Sequence, residues 1–168
     1  MRLSFLIGLS MLNVMLAQTP SKPAQHKMSD GAGAKAVLLG PSDMQWMAAP
    51  AQTGIPSAVQ MTVLSGDPFK TGMFSVRLKI PDGGKVAAHW HPTDEHITVL
   101  QGTFAAGMGD KLDESALHEF PIGSYIVMPK AMRHFAMAKG ETIVQVHAMG
   151  PFVLNYVDPA DDPRKKQP

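Results

Sequence analysis

Residues 83–102 read GGKVAAHWHPTDEHITVLQG, and the spacing of a few side chains within them decides the fold. His89 and His91 are two apart, so on a strand both imidazoles point to one face and converge. Pro92, Thr93 and Asp94 break that strand, and Glu95 then opens the next one, directed back at the same point. Ile97 and Val99 continue the inward face as apolar lining. One hairpin therefore offers two nitrogen ligands and one oxygen ligand.

Working outward, residues 123–137 read GSYIVMPKAMRHFAM. A turn after Pro129 lets His134 enter from an adjacent strand as a fourth ligand. Three imidazoles and one carboxylate suit one first-row divalent ion, with Fe, Mn or Zn the expected cofactor, and leave positions for water or a small-molecule ligand. A lone His on a strand is ordinarily a surface or hydrogen-bonded residue. Four ligand types at these spacings reverse that reading.

The text around these two stretches is a run of short β-type segments separated by Gly, Pro and Asp: 59–64, 73–80, 86–90, 96–101, 103–108, 123–128 and 142–149. Phe74, Val76, Leu78 and Ile80 alternate with Ser75, Arg77 and Lys79, so one face packs, the other is wet, and Arg77 faces outward. SGDP (65–68), PDGG (81–84) and MGD (108–110) mark reversals. No helical period is sustained beyond a turn at 113–117. Many short strands at this spacing predict an all-β sandwich or barrel.

Residues 1–17, MRLSFLIGLSMLNVMLA, carry one Arg ahead of an apolar run and end in a small residue, which is the order of a signal peptide cleaved after Ala17. Periplasmic or secreted localisation follows as an expectation, with no membrane contact after cleavage. Residues 18–36 are rich in Pro, Ser, Gly, Ala and Lys and predict a flexible leader, with His26 in it as a surface residue. Residues 37–157 make the barrel domain, and residues 158–168 a polar, proline-rich tail that trails from it.

There are no cysteines, so neither disulfides nor sulfur ligation enter. The chain has 15 basic and 14 acidic residues, and removal of residues 1–17 takes Arg2 and no acid, leaving 14 of each. That balance gives a nucleic-acid or anionic-membrane partner no support.

The two ligand stretches resemble the motifs of the cupin superfamily. Gly83, His89, His91, Glu95 and Gly102 match its first motif in full. Gly123, Pro129 and His134 match the second, with Ala131 where Gly is usual and Ala138 where Asn is frequent. The approach to the first motif, DMQWMAAP (43–50) and VLSGDPFKTGMFSVRLKIPDGG (63–84), is similar to the subgroup related to the C-terminal domain of the anti-sigma factor ChrR and to small diketone-cleaving dioxygenases. The resemblance implies an RmlC-like double-stranded β-helix, or jelly-roll barrel, with one metal ion in its mouth. An exported chain without a preceding sigma-binding domain does not suit an anti-sigma role.

The expected activity is that of a small metalloenzyme of dioxygenase type, with Glu95 also a candidate base. A non-catalytic metal and small-ligand binder and a Lewis-acid isomerase or lyase are the alternatives, because this fold hosts many chemistries. Gln145 and His147 share one face of the last strand; if it points inward they line the pocket, as substrate-binding or supporting groups. His96 and His118 read as surface residues, Phe104, Tyr125 and Phe135 as core or pocket wall, and the methionines as core filling. A homodimer formed through an edge strand or the leader is open.

Overall fold

The structure is a computed structural model that describes residues 36–165. The expected signal peptide and nearly all of the expected leader lie outside the described residues. The described residues form nine strands: β1 (Met47–Ala48), β2 (Gln60–Ser65), β3 (Gly72–Ile80), β4 (Lys85–Trp90), β5 (Glu95–Met108), β6 (His118–Pro121), β7 (Tyr125–Met128), β8 (His134–Gly150) and β9 (Asn155–Tyr156). They make one curled antiparallel sheet, a jelly roll whose inner face is the core. No described helix is long and apolar enough to cross a membrane.

The two long strands organise the barrel. β8 pairs with β5 over 134–139 and 143–148, with β3 over 142–150 and with β4 over 134–137. The expected break between 101 and 103 is a bend inside one strand. Gly102 sits there at φ +70°, where the register with β8 shifts, and a Cβ on it would lie 2.5 Å from the carbonyl of Glu141. Only glycine fits both the left-handed conformation and that approach.

Period-two alternation sets the core. Phe74, Val76 and Ile80 of β3, Ile97 and Val99 of β5, and Val144, Val146 and Ala148 of β8 are buried on the inner face. Phe74 is fully buried and meets Phe152 edge on, ring centroids 5.3 Å apart. Truncating such a phenylalanine to alanine typically costs about 3–5 kcal/mol.

Residues 158–165 do not trail from the barrel. Two 3-10 turns (Pro159–Asp161 and Pro163–Lys165) fold back, and Asp162 is buried. Arg164 is bonded twice to the Asp162 carboxylate, at 2.8 and 2.9 Å, and donates to the carbonyl of Leu154 at 2.8 Å. Composition suggested a solvated tail, but a bidentate pair and a free carbonyl outweigh solvation here.

Candidate metal centre

Backbone pairing brings the candidate ligand residues together. His89 near the end of β4 and His134 at the start of β8 are direct cross-strand partners. His91 follows two residues later on the same inward side, and its carbonyl accepts the amide of Ala131 at 2.8 Å. Glu95 opens β5 between Met128 of β7 and Ala148 of β8. All four side chains are buried.

His89, His91 and His134 each offer a nitrogen, and these atoms lie within 4.8 Å of one another, a grouping that can hold a metal ion. Each Nδ1 faces a backbone carbonyl: His89 that of Ala87 at 2.8 Å, His91 that of Val153 at 3.0 Å, His134 that of Met132 at 3.0 Å. A carbonyl only accepts, so the proton of each neutral ring sits on Nδ1 and the Nε2 lone pair is free for a cation. Nε2 of His91 is buried and makes no well-aligned hydrogen bond, its nearest carboxylate oxygen being Glu95 Oε2 at 3.4 Å. A buried nitrogen left unpaired costs about 1–3 kcal/mol, and a bound divalent cation would satisfy it. The residues fit the ion.

Glu95 completes the electrostatics. Its Oε2 is 3.4 Å from Nε2 of His91 and 3.6 Å from Nε2 of His134. Burial opposes its charge, but the two imidazoles outweigh burial and hold its pKa well below the usual carboxylate range. Burial likewise opposes a charge on His91, and the Glu95 carboxylate overrides it, raising the His91 pKa above 6.5. At His89 burial wins, aided by His134 and His91, and pushes the pKa down to about 3.

The four residues open into a cavity of about 50 Å³. Its remaining walls are apolar, among them Leu78, Ile97, Phe104, Val146, Phe152 and Leu154. A water-sized occupant needs roughly 10–15 Å³ of such space, so the cavity in this conformation takes only a few heavy atoms.

The ChrR cupin-like domain model matches residues 34–153. The chain belongs to the ChrR cupin-like family. Among curated proteins, germin-like protein subfamily 3 member 3 of Arabidopsis thaliana is 31% identical over 71 residues, 42% of this chain and 34% of that protein. The match spans about a third of that relative's length. Among solved structures, the polyketide cyclase RemF of Streptomyces resistomycificus is similar with TM-score 0.61 and 17% identity, covering 80% of this chain and 95% of that one. A proposed acetylacetone dioxygenase from Methylibium petroleiphilum gives TM-score 0.58 at 17% identity, covering 76% and 85%. At these identities the two structures show that the cupin fold is shared.

Several other sequence expectations resolve on this cupin scaffold. Gln145 and His147 lie on the outward face of β8 and do not line the cavity, because Val144, Val146 and Ala148 take the inward positions. They join Arg77 and Ser75 in a row across β3: Arg77 Nε donates to Gln145 Oε1 at 3.0 Å, Gln145 Nε2 meets His147 Nε2 at 3.0 Å, and His147 Nδ1 meets Ser75 Oγ at 2.7 Å. His96 also faces outward, 2.6 Å from the hydroxyl of Tyr125. Tyr125 is exposed rather than core, and so are Met47, Met73, Met108, Met132 and Met149, whereas Phe104 lines the cavity as expected.

Phe152 and Val153 are the site residues that sequence reading missed. Phe152 stacks on the His91 ring at 4.6 Å and 16°, and Val153 holds its Nδ1 proton. They lie 61 and 62 positions downstream, past the end of β8. The only local signal was an apolar Phe-Val-Leu run after Gly150 and Pro151.

Proposed function

We propose that this chain is an exported, metal-dependent cupin enzyme of dioxygenase type acting on a small enolisable or carbonyl substrate. The observation that carries the reading is the buried Nε2 of His91, set beside His89, His134 and Glu95 in a cavity whose remaining wall is apolar. His89, His91 and His134 would hold the ion, with Glu95 as fourth ligand. A divalent ion there supplies Lewis-acid polarisation of a carbonyl or enolate oxygen and, when iron or manganese, redox reactivity toward dioxygen. The apolar walls exclude water and bind the hydrocarbon part of the substrate. Glu95, the one carboxylate in the wall, is kept ionised by its neighbours, which suits it to ligate the ion and makes it a weak base toward an enolisable carbon. Export rests on the charge and apolar order of residues 1–17.

The small cavity also favours a second reading, a binding protein whose metal anchors a ligand of few atoms without turnover. Elemental analysis of the purified protein beside His91→Ala and Glu95→Ala, followed by oxygen-uptake assays with acetylacetone, separates the two. Near-stoichiometric iron or manganese, lost in both variants, with oxygen consumed, supports the enzyme. Metal without oxygen uptake supports the binder. No metal above background in the unaltered chain removes both.

A further inference from the structure

Two of the three histidines are set by their own strands. His89 and His134 each give the Nδ1 proton to a carbonyl two residues earlier, Ala87 and Met132. His91 is different: its proton goes to Val153, and its ring face lies on Phe152. Within its own hairpin Glu95 Oε2 approaches Nε2 at 3.4 Å and the His89 ring lies edge-on at 4.9 Å, but the partner of its Nδ1 and the ring stacked on its face both come from 152–153.

The segment that does so is docked by contacts of its own. Phe152 N–H donates to Pro68 at 2.7 Å, Leu154 N–H to Thr53 at 2.9 Å and Val157 N–H to Ala88 at 2.9 Å. The Tyr156 hydroxyl reaches the carbonyl of Gly54 at 2.9 Å. Arg164 closes the arrangement. Held in the Asp162 fork, it bonds the carbonyl of Leu154, the residue next to Val153, and points its other amino nitrogen at the carbonyl of Gln52, 3.5 Å away. Gly54 makes room for it: a Cβ there would lie 3.1 Å from the Arg164 Cζ, at a φ of +76°.

We infer that residues 151–165 are a positioning arm for the metal centre and Arg164 its clamp: docking the arm against residues 52–54 orients His91 for the ion, and the bound ion holds the arm docked. The inference rests on the reading that the three histidines bind a divalent cation. Its physical basis is linkage. Releasing the arm strips His91 of its Nδ1 partner and its stacking neighbour, so the ion binds the docked state more tightly and must favour it by the same factor. The direction is the same for any metal that takes Nε2 of His91. Arg164 touches neither metal nor substrate and acts through Leu154 and Val153.

The test uses the full chain and cobalt(II) as probe, with affinity read by chelator competition and the arm by backbone amide exchange over 151–157. Arg164→Ala is compared with the unaltered chain and with Ile126→Val, a core change on β7 outside the arm and the site. Loss of a group supporting a metal ligand typically weakens binding 10–100-fold. Because Arg164 acts one step further out, about tenfold weaker cobalt binding is expected, with faster exchange in 151–157, while Ile126→Val keeps full affinity. Cobalt should slow exchange over 151–157 in the unaltered chain. Unchanged affinity in Arg164→Ala, or arm exchange that cobalt does not move, overturns the arm's role and leaves the metal site standing. No cobalt uptake by the unaltered chain overturns both. Should Arg164→Ala not fold, Gly54→Ala crowds the same guanidinium, and the same expected loss and the same overturning result apply to it.

Discussion

Glu95 presents Oε2 at 3.4 Å from Nε2 of His91 inside a wall otherwise built of hydrocarbon and two further imidazoles. Each group favours the charged form of the other. In the metal-free protein the Glu95 carboxylate therefore favours the charged form of His91, from which a cation must displace a proton, whereas burial, with a pKa near 3, leaves His89 uncharged at neutral pH. Metal loading near neutral pH is expected to displace a proton from His91 and none from His89. Affinity should rise with pH until the raised His91 pKa is passed and then level off. Calorimetry of zinc binding in buffers of different ionisation enthalpy measures the proton count directly.

The acid limb of metal-free stability is set by different groups. His89 is neutral in the fold down to about 3 but titrates at 6.5 when unfolded, so the unfolded chain takes up a proton that the native one refuses. Its contribution is full above 6.5 and falls as pH drops from 6.5 toward 3. His91 has the opposite sign: its raised pKa adds stability below 6.5, lost as pH rises through the raised value. Glu95, with its pKa lowered, adds stability above 4.5 that is lost only on stronger acidification. Replacing His89 by Gln removes the His89 contribution. Urea midpoints between pH 7 and 4 should then fall less steeply than in the unaltered metal-free chain.

Ala131 holds a φ of +62°, the only non-glycine residue at positive φ among the described residues. The turn keeps the shape a glycine would give it because the Ala131 amide is bonded to the His91 carbonyl. A left-handed alanine costs about 1–2 kcal/mol, and glycine returns part of the gain through a freer unfolded chain, about 0.4–1 kcal/mol. Ala131→Gly should stabilise the protein by about 0.5–1 kcal/mol, raise Tm by a few degrees and leave metal content unaltered. A lower Tm on thermal melting counts against the strain.

His147 shares its strand with the cavity wall yet faces away from it. His147→Ala is expected to leave metal stoichiometry and affinity within about twofold. Its bonds to Ser75 and Gln145 are half-buried, and their loss should cost about 1 kcal/mol. Reduced metal affinity in this variant, measured by competition, would restore Gln145 and His147 to the site.

Which features were legible follows from range. The hairpin at 83–102 carried its own answer: period two puts His89 and His91 on one face, the Pro92 turn returns Glu95, and the structure places all of them beside His134. Gly102 was legible as punctuation but not as a bend, since whether a glycine ends a strand or kinks it depends on what packs behind it, here the Glu141 carbonyl. The face of Gln145 and His147 was undetermined for a related reason. A strand with polar and apolar residues in alternation tells which set is together, and the choice of inside belongs to the neighbouring strands.

The sequence by itself determined a β-barrel domain, the convergence of His89, His91, Glu95 and His134 and the apolar lining beside them, because each depends on spacings of a few residues that backbone geometry converts directly into direction. Only the tertiary structure decided that Phe152 and Val153 complete the His91 environment, that residues 158–165 fold back under Arg164, and that the cavity is small. Those facts come from segments tens of residues apart meeting in space, where hydrogen bonds and packing select one arrangement and no local period records the choice.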